Sequence, residues 1–157
     1  MRVGIGYDVH PLSADRPLVL GGVTVPHNSG LEGHSDGDVL THALIDALLG
    51  AAAMGDIGTH FPSDDERWHG ASSIDLLAKT RGLLLEAGIA VTNVDATIVA
   101  QAPKLAPYTQ AMRELLAKAL DVDSRNVSVK ATTTDRLGAI GRGEGIAAVA
   151  VALIDST

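Results

Sequence analysis

Cysteine is absent from this chain of 157 residues. Its absence excludes disulfide bonds, thiolate metal ligands and a thiol nucleophile, so that His, Asp and Glu are the only strong metal ligands available. Aromatic residues are also scarce, at 3% of the chain. A surface that binds single-stranded nucleic acid by base stacking needs more of them, so this class of protein is excluded as well.

Positive charge is in short supply. Lys and Arg number 12 against 19 Asp and Glu, which gives a net charge of −7. We therefore expect no nucleic acid partner, because nonspecific binding needs a basic surface that displaces counterions. No uninterrupted apolar run reaches the roughly 18 residues of a membrane span, so no membrane partner is expected. The N-terminus enters a strand-like pattern directly, without a signal or transit peptide, which predicts a cytoplasmic protein.

What the chain does contain is a hydrophobic fraction of 46%, and its length fits one domain over residues 1–157. The apolar pattern predicts strands at 2–10, 18–25 (a hairpin turning at Gly21-Gly22), 89–100, 127–133 and 145–154. It also predicts three helices. The first runs from Ser35 or Asp36 to about 53, and the third from Pro107 to about 120. The second covers 73–87, beginning after a capping box of Ser72 and Asp75 and ending at a left-handed Gly88.

This order of elements predicts an α+β fold with a mixed β-sheet and helices packed on one face. Residues 145–154 are almost all small or apolar, which predicts a strand buried on both sides. Three helices do not cover both faces of such a sheet, so we expect the other face to be buried by self-association. Residues 54–71 are polar and broken by Gly and Pro, and they predict a loop that is long for a mere connector.

The most informative polar residues are Asp8, His10 and His42. Asp8 and His10 lie two apart on a predicted strand and therefore share a face. His42 lies in the first predicted helix, with Asp38 and Asp46 four residues to either side. One interpretation is a solvated polar stripe on that helix. The other is a catalytic Zn²⁺ held by Asp8, His10 and His42, with Asp38 or Asp46 holding the second ring nitrogen of His42.

Three further segments carry polar groups with two interpretations each. His34 lies at the mouth of the first helix, where a phosphate or a simple helix cap is typical. The threonines before Asp135 offer hydroxyls and a carboxylate for a hard cation, or else mark a strand that ends in a turn. The loop that ends at Lys104 either reads a base edge through its backbone or merely connects a strand to a helix.

Six segments together resemble one known family, the 2-C-methyl-D-erythritol 2,4-cyclodiphosphate synthases. They are RVGIGYDVH (2–10), HSDGDV (34–39) with His42, GDIG (55–58) with FP (61–62), AQAPK (100–104), KATTTDRLG (130–138) and GRGEGIA (141–147). Each segment is a weak signal by itself, but all six occur in the family's order and spacing. The resemblance covers nearly the whole chain, from Arg2 to about Ile154.

The resemblance implies a metal-dependent enzyme of non-mevalonate isoprenoid biosynthesis, a lyase that forms a cyclic diphosphate and releases CMP. It implies a homotrimer with active sites between subunits. One Zn²⁺ per subunit would be held by Asp8, His10 and His42, and a Mg²⁺ or Mn²⁺ on the substrate diphosphate by Asp135. His34 and Thr133 match residues that stabilise the transition state.

The resemblance also implies a set of residues that bind the cytidine diphosphate-linked substrate. Residues 100–106 match the cytidine pocket, 132–135 the diphosphate side, and 56–58 with 61–65 the methylerythritol site. The full implied set is Asp8, Val9, His10, His34, Ser35, Asp56, Ile57, Gly58, Phe61, Pro62, Ser63, Asp64, Asp65, Ala100, Gln101, Ala102, Pro103, Lys104, Leu105, Ala106, Thr132, Thr133, Thr134, Asp135, Ala139 and Arg142.

The chain departs from the family pattern at two of these positions. Ser63 replaces a common Asp, and Ala139 replaces a bulky residue that lines a cavity on the trimer axis, near Arg142. Two other functions remain open from the residues. One is a zinc hydrolase with the same three ligands and Asp56 as general base, and the other is a trimeric protein that binds a small metabolite.

Overall fold

The computed structural model describes residues 1–157. The strands are β1 (Arg2–Ser13), β2 (Leu18–Leu20), β3 (Val23–Val25), β4 (Gly30–Leu31), β5 (Ile89–Val99), β6 (Val127–Thr132) and β7 (Gly145–Ser156). The α-helices are α1 (Val39–Ala52), α2 (Ile57–His60), α3 (Ser73–Glu86), α4 (Thr109–Leu120) and α5 (Gly138–Gly141). Short 3₁₀ turns lie at Glu66–Trp68, Ala106–Tyr108 and Ser124–Asn126. No helix is long and apolar enough to cross a membrane.

Five strands form the main sheet, in the order β4-β1-β7-β5-β6. The pair β5 and β6 is parallel, and the other neighbours are antiparallel. Strands β2 and β3 form a separate hairpin whose turn is Gly21-Gly22, both with positive φ. The mixed sheet with helices confirms the predicted α+β class.

The three long helices lie on one face of this sheet. Helix α1 packs against β1 and β7, α3 against β5, and α4 against β6. Leucines at positions 44 and 48 of α1 and 84 of α3 are fully buried, together with Ile98 of β5. The core therefore lies between one helical layer and one face of the sheet.

Glycine allows β1 to approach α1 very closely. A Cβ added at Gly4 would lie 2.0 Å from the carbonyl oxygen of Ala47, and one at Gly6 would lie 1.9 Å from that of Ala43. Only glycine fits at such distances, because any larger side chain overlaps the helix backbone. The alternation of β1 then directs Asp8 and His10, which follow the glycines on the same face, toward α1.

The opposite face of the sheet is apolar and open. Val3, Ile5, Tyr7 and Val9 of β1 and Val151 of β7 are between 40% and 71% exposed. The prediction that residues 145–154 are buried on both sides is therefore wrong within one chain, because no helix covers this second face. Ala148, Ala150 and Ala152, which face the helices, are fully buried.

Several predicted element ends differ from the structure. Helix α1 is capped by Asp38, whose side chain accepts the N–H of Thr41, and not by Ser35 or Asp36. Ser72 precedes α3 but makes no side-chain cap bond, so the predicted capping box is wrong. The left-handed Gly88 is confirmed, with φ of +71°. Elements β4, α2 and α5 were not predicted, since segments of two to four residues carry no detectable periodicity.

Candidate metal centre and substrate pockets

Strand β1 and helix α1 bring together Asp8, His10 and His42. The Nε2 atom of His10 lies 2.8 Å from Oδ2 of Asp8, and Nδ1 of His42 lies 3.1 Å from the same oxygen. The two ring nitrogens are 3.4 Å apart. Ligands of a tetrahedral zinc ion at about 2.0–2.1 Å are about 3.3 Å from one another. The three atoms therefore have the spacing and chemistry of a candidate metal centre.

Electrostatics keep Asp8 in the form that binds a cation. Burial acts to raise the pKa of Asp8, but the imidazoles of His10 and His42 beside its carboxylate outweigh burial and hold the pKa well below its usual range. Burial lowers the pKa of His10, yet Asp8 and the carbonyl oxygen of Glu32 raise it overall. Since Nδ1 of His10 faces that carbonyl oxygen, Nε2 is the nitrogen directed at the other two ligands.

The second ring nitrogen of His42 has different partners from those predicted. Nε2 lies 2.9 Å from Oγ of Ser35 and 2.9 Å from Oγ of Ser73. Asp38 is fully buried and instead accepts hydrogen bonds from Gly21, Gly22 and Thr41.

Asp46 makes no hydrogen bond to His42 either, and its Oδ1 accepts the N–H of Ile57 at 2.8 Å. The prediction that Asp38 or Asp46 orients His42 is therefore wrong. The alternative of a solvated stripe is wrong as well, since His42 and Asp38 are buried.

A cavity of 240 Å³, which we name the metal-side pocket, opens at these ligands. Its lining consists of Asp8, His10, His34, Ser35, His42, Asp46, Ile57, Gly58, Phe61, Ser63, Trp68 and Leu76. Trp68 and Leu76 were missed by sequence reasoning, and Asp46, which the sequence predicted only as a partner of His42, also belongs to this lining. A lone tryptophan in a polar loop was a usable signal, whereas Leu76 is an ordinary apolar position of α3.

Two buried polar atoms of this pocket have no hydrogen-bond partner within the chain. They are Nε2 of His34 and Nε1 of Trp68. The rings of His34 and His69 meet edge to face with their centroids 5.1 Å apart, and those of Trp68 and Phe61 do the same at 5.1 Å. A buried N–H without an acceptor is unfavourable, so these atoms fit a pocket that holds a polar ligand.

A second cavity, of 300 Å³, lies at the loop after β5. We name it the loop pocket, and it is lined by residues 100–106 and 131–133. The N–H of Ala100 donates to the carbonyl oxygen of Thr132 at 2.9 Å, which continues the pairing of β5 and β6 into the loop.

The loop pocket lies at the same end of the sheet as the metal ligands. Register pairs connect Val9 to Ala147, Ala147 to Val99, and Val99 to Thr132 in one row across the sheet. The two pockets nevertheless share no lining residue.

Asp135 lies beyond the loop pocket, in a turn that continues from β6. Asp135 and Arg136 both have positive φ, of 52° and 65°. The N–H of Asp135 donates to Oγ1 of Thr133 at 3.2 Å, and that of Arg136 to Oε1 of Gln101 at 3.0 Å. The carboxylate of Asp135 is exposed and makes no ion pair, so it is accessible to a cation.

The remaining residues of the implied set lie outside both pockets. Val9 and Ala139 line a third cavity of 280 Å³, near Glu144. The guanidinium of Arg142 is paired with Glu144 at 2.6 Å. The others outside the two pockets are Asp56, Pro62, Asp64, Asp65, Thr134 and Asp135.

Asp56 and Asp65 are engaged at the ends of short helical segments. Asp56 caps α2 through the N–H and hydroxyl of Thr59, and these hydrogen bonds hold its pKa below the usual value. Asp65 caps the following 3₁₀ turn and pairs with Arg67 at 2.5 Å.

Comparison with known proteins gives one consistent result. Residues 1–155 match the YgbB family. A relative from Desulforamulus reducens, named 2-C-methyl-D-erythritol 2,4-cyclodiphosphate synthase, is 62% identical over 96% of both chains. A solved structure of a protein with this enzyme name, in a form bound to CDP, superposes with a TM-score of 0.90 at 34% identity over 98% of this chain and 100% of that one.

A longer protein contains the same fold. The bifunctional IspDF from Campylobacter jejuni superposes with a TM-score of 0.96 at 44% identity, over 99% of this chain. The match spans 42% of that longer chain.

Proposed function

This chain belongs to the YgbB family of 2-C-methyl-D-erythritol 2,4-cyclodiphosphate synthases, enzymes of isoprenoid biosynthesis, and we propose that it catalyses the family reaction. The substrate is 4-diphosphocytidyl-2-C-methyl-D-erythritol 2-phosphate. An oxygen of the 2-phosphate forms a bond to the β-phosphorus, and the bond from that phosphorus to the bridging oxygen of CMP breaks. The products are the 2,4-cyclodiphosphate and CMP, which makes the enzyme a phosphorus–oxygen lyase of the non-mevalonate route.

The observation that carries the proposal is the triad of Asp8, His10 and His42 beside a pocket with unpartnered polar atoms. These residues would hold one Zn²⁺ per subunit. When bound there, the ion supplies positive charge that offsets the repulsion between the two anionic phosphates and helps to orient them. Three protein ligands leave a coordination position for a phosphate oxygen, as catalytic zinc sites do.

The chain's own groups complete the charge arrangement. The ring of His34 at the pocket wall offers a hydrogen bond to a phosphate oxygen, and the hydroxyl of Thr133 offers another. Asp135 would hold the Mg²⁺ or Mn²⁺ that binds the substrate diphosphate. The reaction needs no general base, because the attacking phosphate is already ionised at neutral pH.

The two pockets suit the two halves of the substrate. The metal-side pocket would take the methylerythritol phosphate, with Ile57 and Gly58 around its hydroxyls. Phe61 and Ser63 of the loop 61–65 line the same pocket. The loop pocket would take cytidine through backbone groups of residues 100–106, with Lys104 near a phosphate. Backbone recognition of the base agrees with the scarcity of aromatic residues.

We further propose a homotrimer in which each active site combines pockets of adjacent subunits. Two features support it. The second face of the sheet is an open apolar surface around Ile5 and Tyr7, of the kind that self-association buries. The two pockets also lie at one end of the sheet without sharing a wall, so a neighbouring copy would have to join them. A cytoplasmic location remains the prediction from the sequence.

The zinc hydrolase has less support than the cyclase. Its proposed general base, Asp56, does not line the metal-side pocket. The carboxylate of Asp56 is engaged by Thr59, and its lowered pKa makes it a weaker base.

The deciding experiment is incubation of zinc- and magnesium-loaded protein with the diphosphocytidyl substrate, followed by ³¹P NMR. We expect CMP and a cyclic diphosphate in equal amounts. Release of CMP with a linear product would instead establish the hydrolase, and release of no CMP would refute both enzymes.

The same assay tests the metal centre by substitution. His42→Ala is expected to stay folded by circular dichroism, to lose zinc and to release no CMP. His27→Ala is the matched control, since His27 is exposed and contacts neither pocket. A fully active His42→Ala protein without zinc would refute the proposed metal centre.

A further inference from the structure

The ring nitrogen of His42 that faces away from Asp8 contacts a buried serine, whose hydroxyl is hydrogen-bonded to a carboxylate. Ser73, at the start of α3, is fully buried, and its Oγ lies 2.9 Å from Nε2 of His42. The same hydroxyl donates a hydrogen bond to Oδ1 of Asp36. A continuous chain of hydrogen bonds therefore runs from Asp36 through Ser73 to His42.

The number of hydrogens fixes the direction of this chain. A serine hydroxyl has one hydrogen, and Ser73 gives it to the Asp36 carboxylate, which only accepts. Toward His42, Ser73 can therefore only accept, so Nε2 of His42 must carry a hydrogen. In a neutral imidazole the other nitrogen, Nδ1, then presents its lone pair to Asp8 and His10.

Other contacts of the imidazole do not fix this choice. Ser35 Oγ is also 2.9 Å from Nε2, but Ser35 has no carboxylate partner, so its hydroxyl can rotate to donate or to accept. Asp8 lies 3.1 Å from Nδ1 and would accept a hydrogen from that nitrogen. Without Ser73, both neutral tautomers of His42 would have a partner.

We propose that Asp36 and Ser73 are positioning residues for the metal centre: together they keep the hydrogen of His42 on Nε2 and leave Nδ1 free as a metal ligand. This inference rests on the proposed function, because the metal held by Asp8, His10 and His42 is part of that proposal. Neither residue belongs to the implied substrate-binding set. Neither lies four residues from His42, the spacing at which Asp38 and Asp46 were expected to be its partners. Asp36 acts only through Ser73.

The backbone holds this arrangement in place independently of the hydroxyl. The N–H of Ser73 donates to Oδ2 of Asp36 at 2.9 Å, and the N–H of Asp36 donates to the carbonyl oxygen of Ala71 at 3.2 Å. The N–H of Gly70 also donates to the carbonyl oxygen of His34, at 2.9 Å. Ser73→Ala therefore removes the bond to His42 and leaves the bonds that tie the two segments together.

The first measurement is the affinity of metal-free protein for Zn²⁺, by competition with a chromophoric chelator. Ser73→Ala is expected to weaken zinc binding roughly 10–100-fold, the range found when a hydrogen bond to a histidine ligand is removed. Ser72→Ala is the matched control, because its side chain makes no cap bond, and its affinity should equal that of the unmodified protein. Ser73→Thr retains the hydroxyl and is expected to restore part of the affinity.

The second measurement is the tautomer of His42, from long-range ¹H–¹⁵N spectra of metal-free protein at a pH where imidazoles are neutral. The unmodified protein should show hydrogen on Nε2, and Ser73→Ala should show a mixture. Hydrogen on Nδ1 in the unmodified protein would overturn the proposal even if Ser73→Ala does not fold.

The outcomes separate this inference from the proposed function. If the unmodified protein binds no zinc, the metal centre itself is refuted and the positioning role fails with it. If it binds zinc and Ser73→Ala binds equally well, only the role of Asp36 and Ser73 is overturned.

Discussion

The metal-side pocket and the loop pocket are built by different means. The first takes its candidate metal ligands from side chains on β1 and α1, where His42 is buried and contacts both Asp8 and Ser73. The second is lined by a strand-to-helix loop and the exposed end of β6, where Thr132 and Thr133 face solvent.

This difference separates a site determined by packing from one determined by a turn. In the metal-side pocket, the close contact of β1 with α1 sets the ligand positions, so they are as rigid as the core. Beside the loop pocket, the turn at Asp135 and Arg136 is held instead by a small set of hydrogen bonds, one of which runs from the N–H of Arg136 to Oε1 of Gln101. Substitutions in the first region should therefore change stability and metal affinity. Substitutions in the second should change substrate binding or the rate of CMP release and leave stability and zinc affinity unchanged.

The largest effect is expected from Gly6→Ala. A Cβ at this position would lie 1.9 Å from the carbonyl oxygen of Ala43, so β1 must move away from α1. We expect a loss of about 3 kcal/mol of unfolding free energy, at the upper end for overpacking of a core. Because Asp8 follows on the same face of β1, zinc affinity should fall as well. Urea denaturation and chelator competition measure the two effects.

Gly82→Ala is the control for this change. Gly82 lies within α3, and a Cβ there would have no atom within 4 Å. Alanine should then stabilise the helix by roughly 0.5–1 kcal/mol. Equal unfolding free energies for the two variants would show that the contact of β1 with α1 does not determine the position of the ligands.

The contact of β1 with α1 shows what the sequence alone can predict and what it cannot. The alternation of residues 2–10 predicted a strand correctly and placed Asp8 and His10 on one face. The apolar residues of that strand face away from the helices, however, while the glycines face α1. Polarity patterns predict alternation but do not predict which side a helix covers, because close backbone packing favours glycine over larger apolar side chains.

The surroundings of His42 show the other limit. Spacing along a helix correctly drew attention to His42, but it also suggested Asp38 and Asp46 as its partners. The observed partners of Nε2 are Ser35 and Ser73, and Ser73 is 31 residues away in sequence. A contact between the start of α3 and the first turn of α1 arises only from the tertiary fold, and no local pattern encodes it. The short segments within residues 54–71 were missed for another reason, because three or four residues are too few to show a periodicity.

Asp135→Asn should have the next largest effect, confined to the other region. Asparagine tolerates the left-handed backbone at this position, so the turn should persist. The loss of charge removes the proposed ligand of the second cation, and CMP release should fall roughly 100-fold or more, as when one charge-stabilising group is removed from an active site. Zinc affinity and unfolding free energy should not change.

Asp121→Asn is the matched control, because Asp121 is also left-handed and lies outside both substrate pockets. Its rate of CMP release should equal that of the unmodified protein across a magnesium titration. A loss of zinc in Asp135→Asn would contradict the separation of the two regions.

Gln101→Ala is a milder test of the loop pocket. Oε1 of Gln101 accepts the N–H of Arg136, and its removal takes away one of the hydrogen bonds that hold the turn after β6. One hydrogen bond of about 1 kcal/mol corresponds to a rise in KM of several-fold, with kcat little changed. Gln101→Glu keeps the acceptor oxygen and should restore most of the affinity. A fall in kcat with constant KM would show that the turn acts on the reaction and not on binding.

The smallest expected effect is a change in the fluorescence emission of Trp68, which compares the two pockets directly. Trp68 is the one tryptophan of the chain, and its indole lines the metal-side pocket against Phe61. Its Nε1 has no partner, and Arg67 lies 5.5 Å and Lys79 lies 5.9 Å from its ring. The cyclic diphosphate, bound in this pocket, should change the polarity around the ring and therefore its emission. Cytidine, which has no phosphate and fits the loop pocket, should leave the emission unchanged, whereas an equal response to both ligands would mean that the pockets do not act separately.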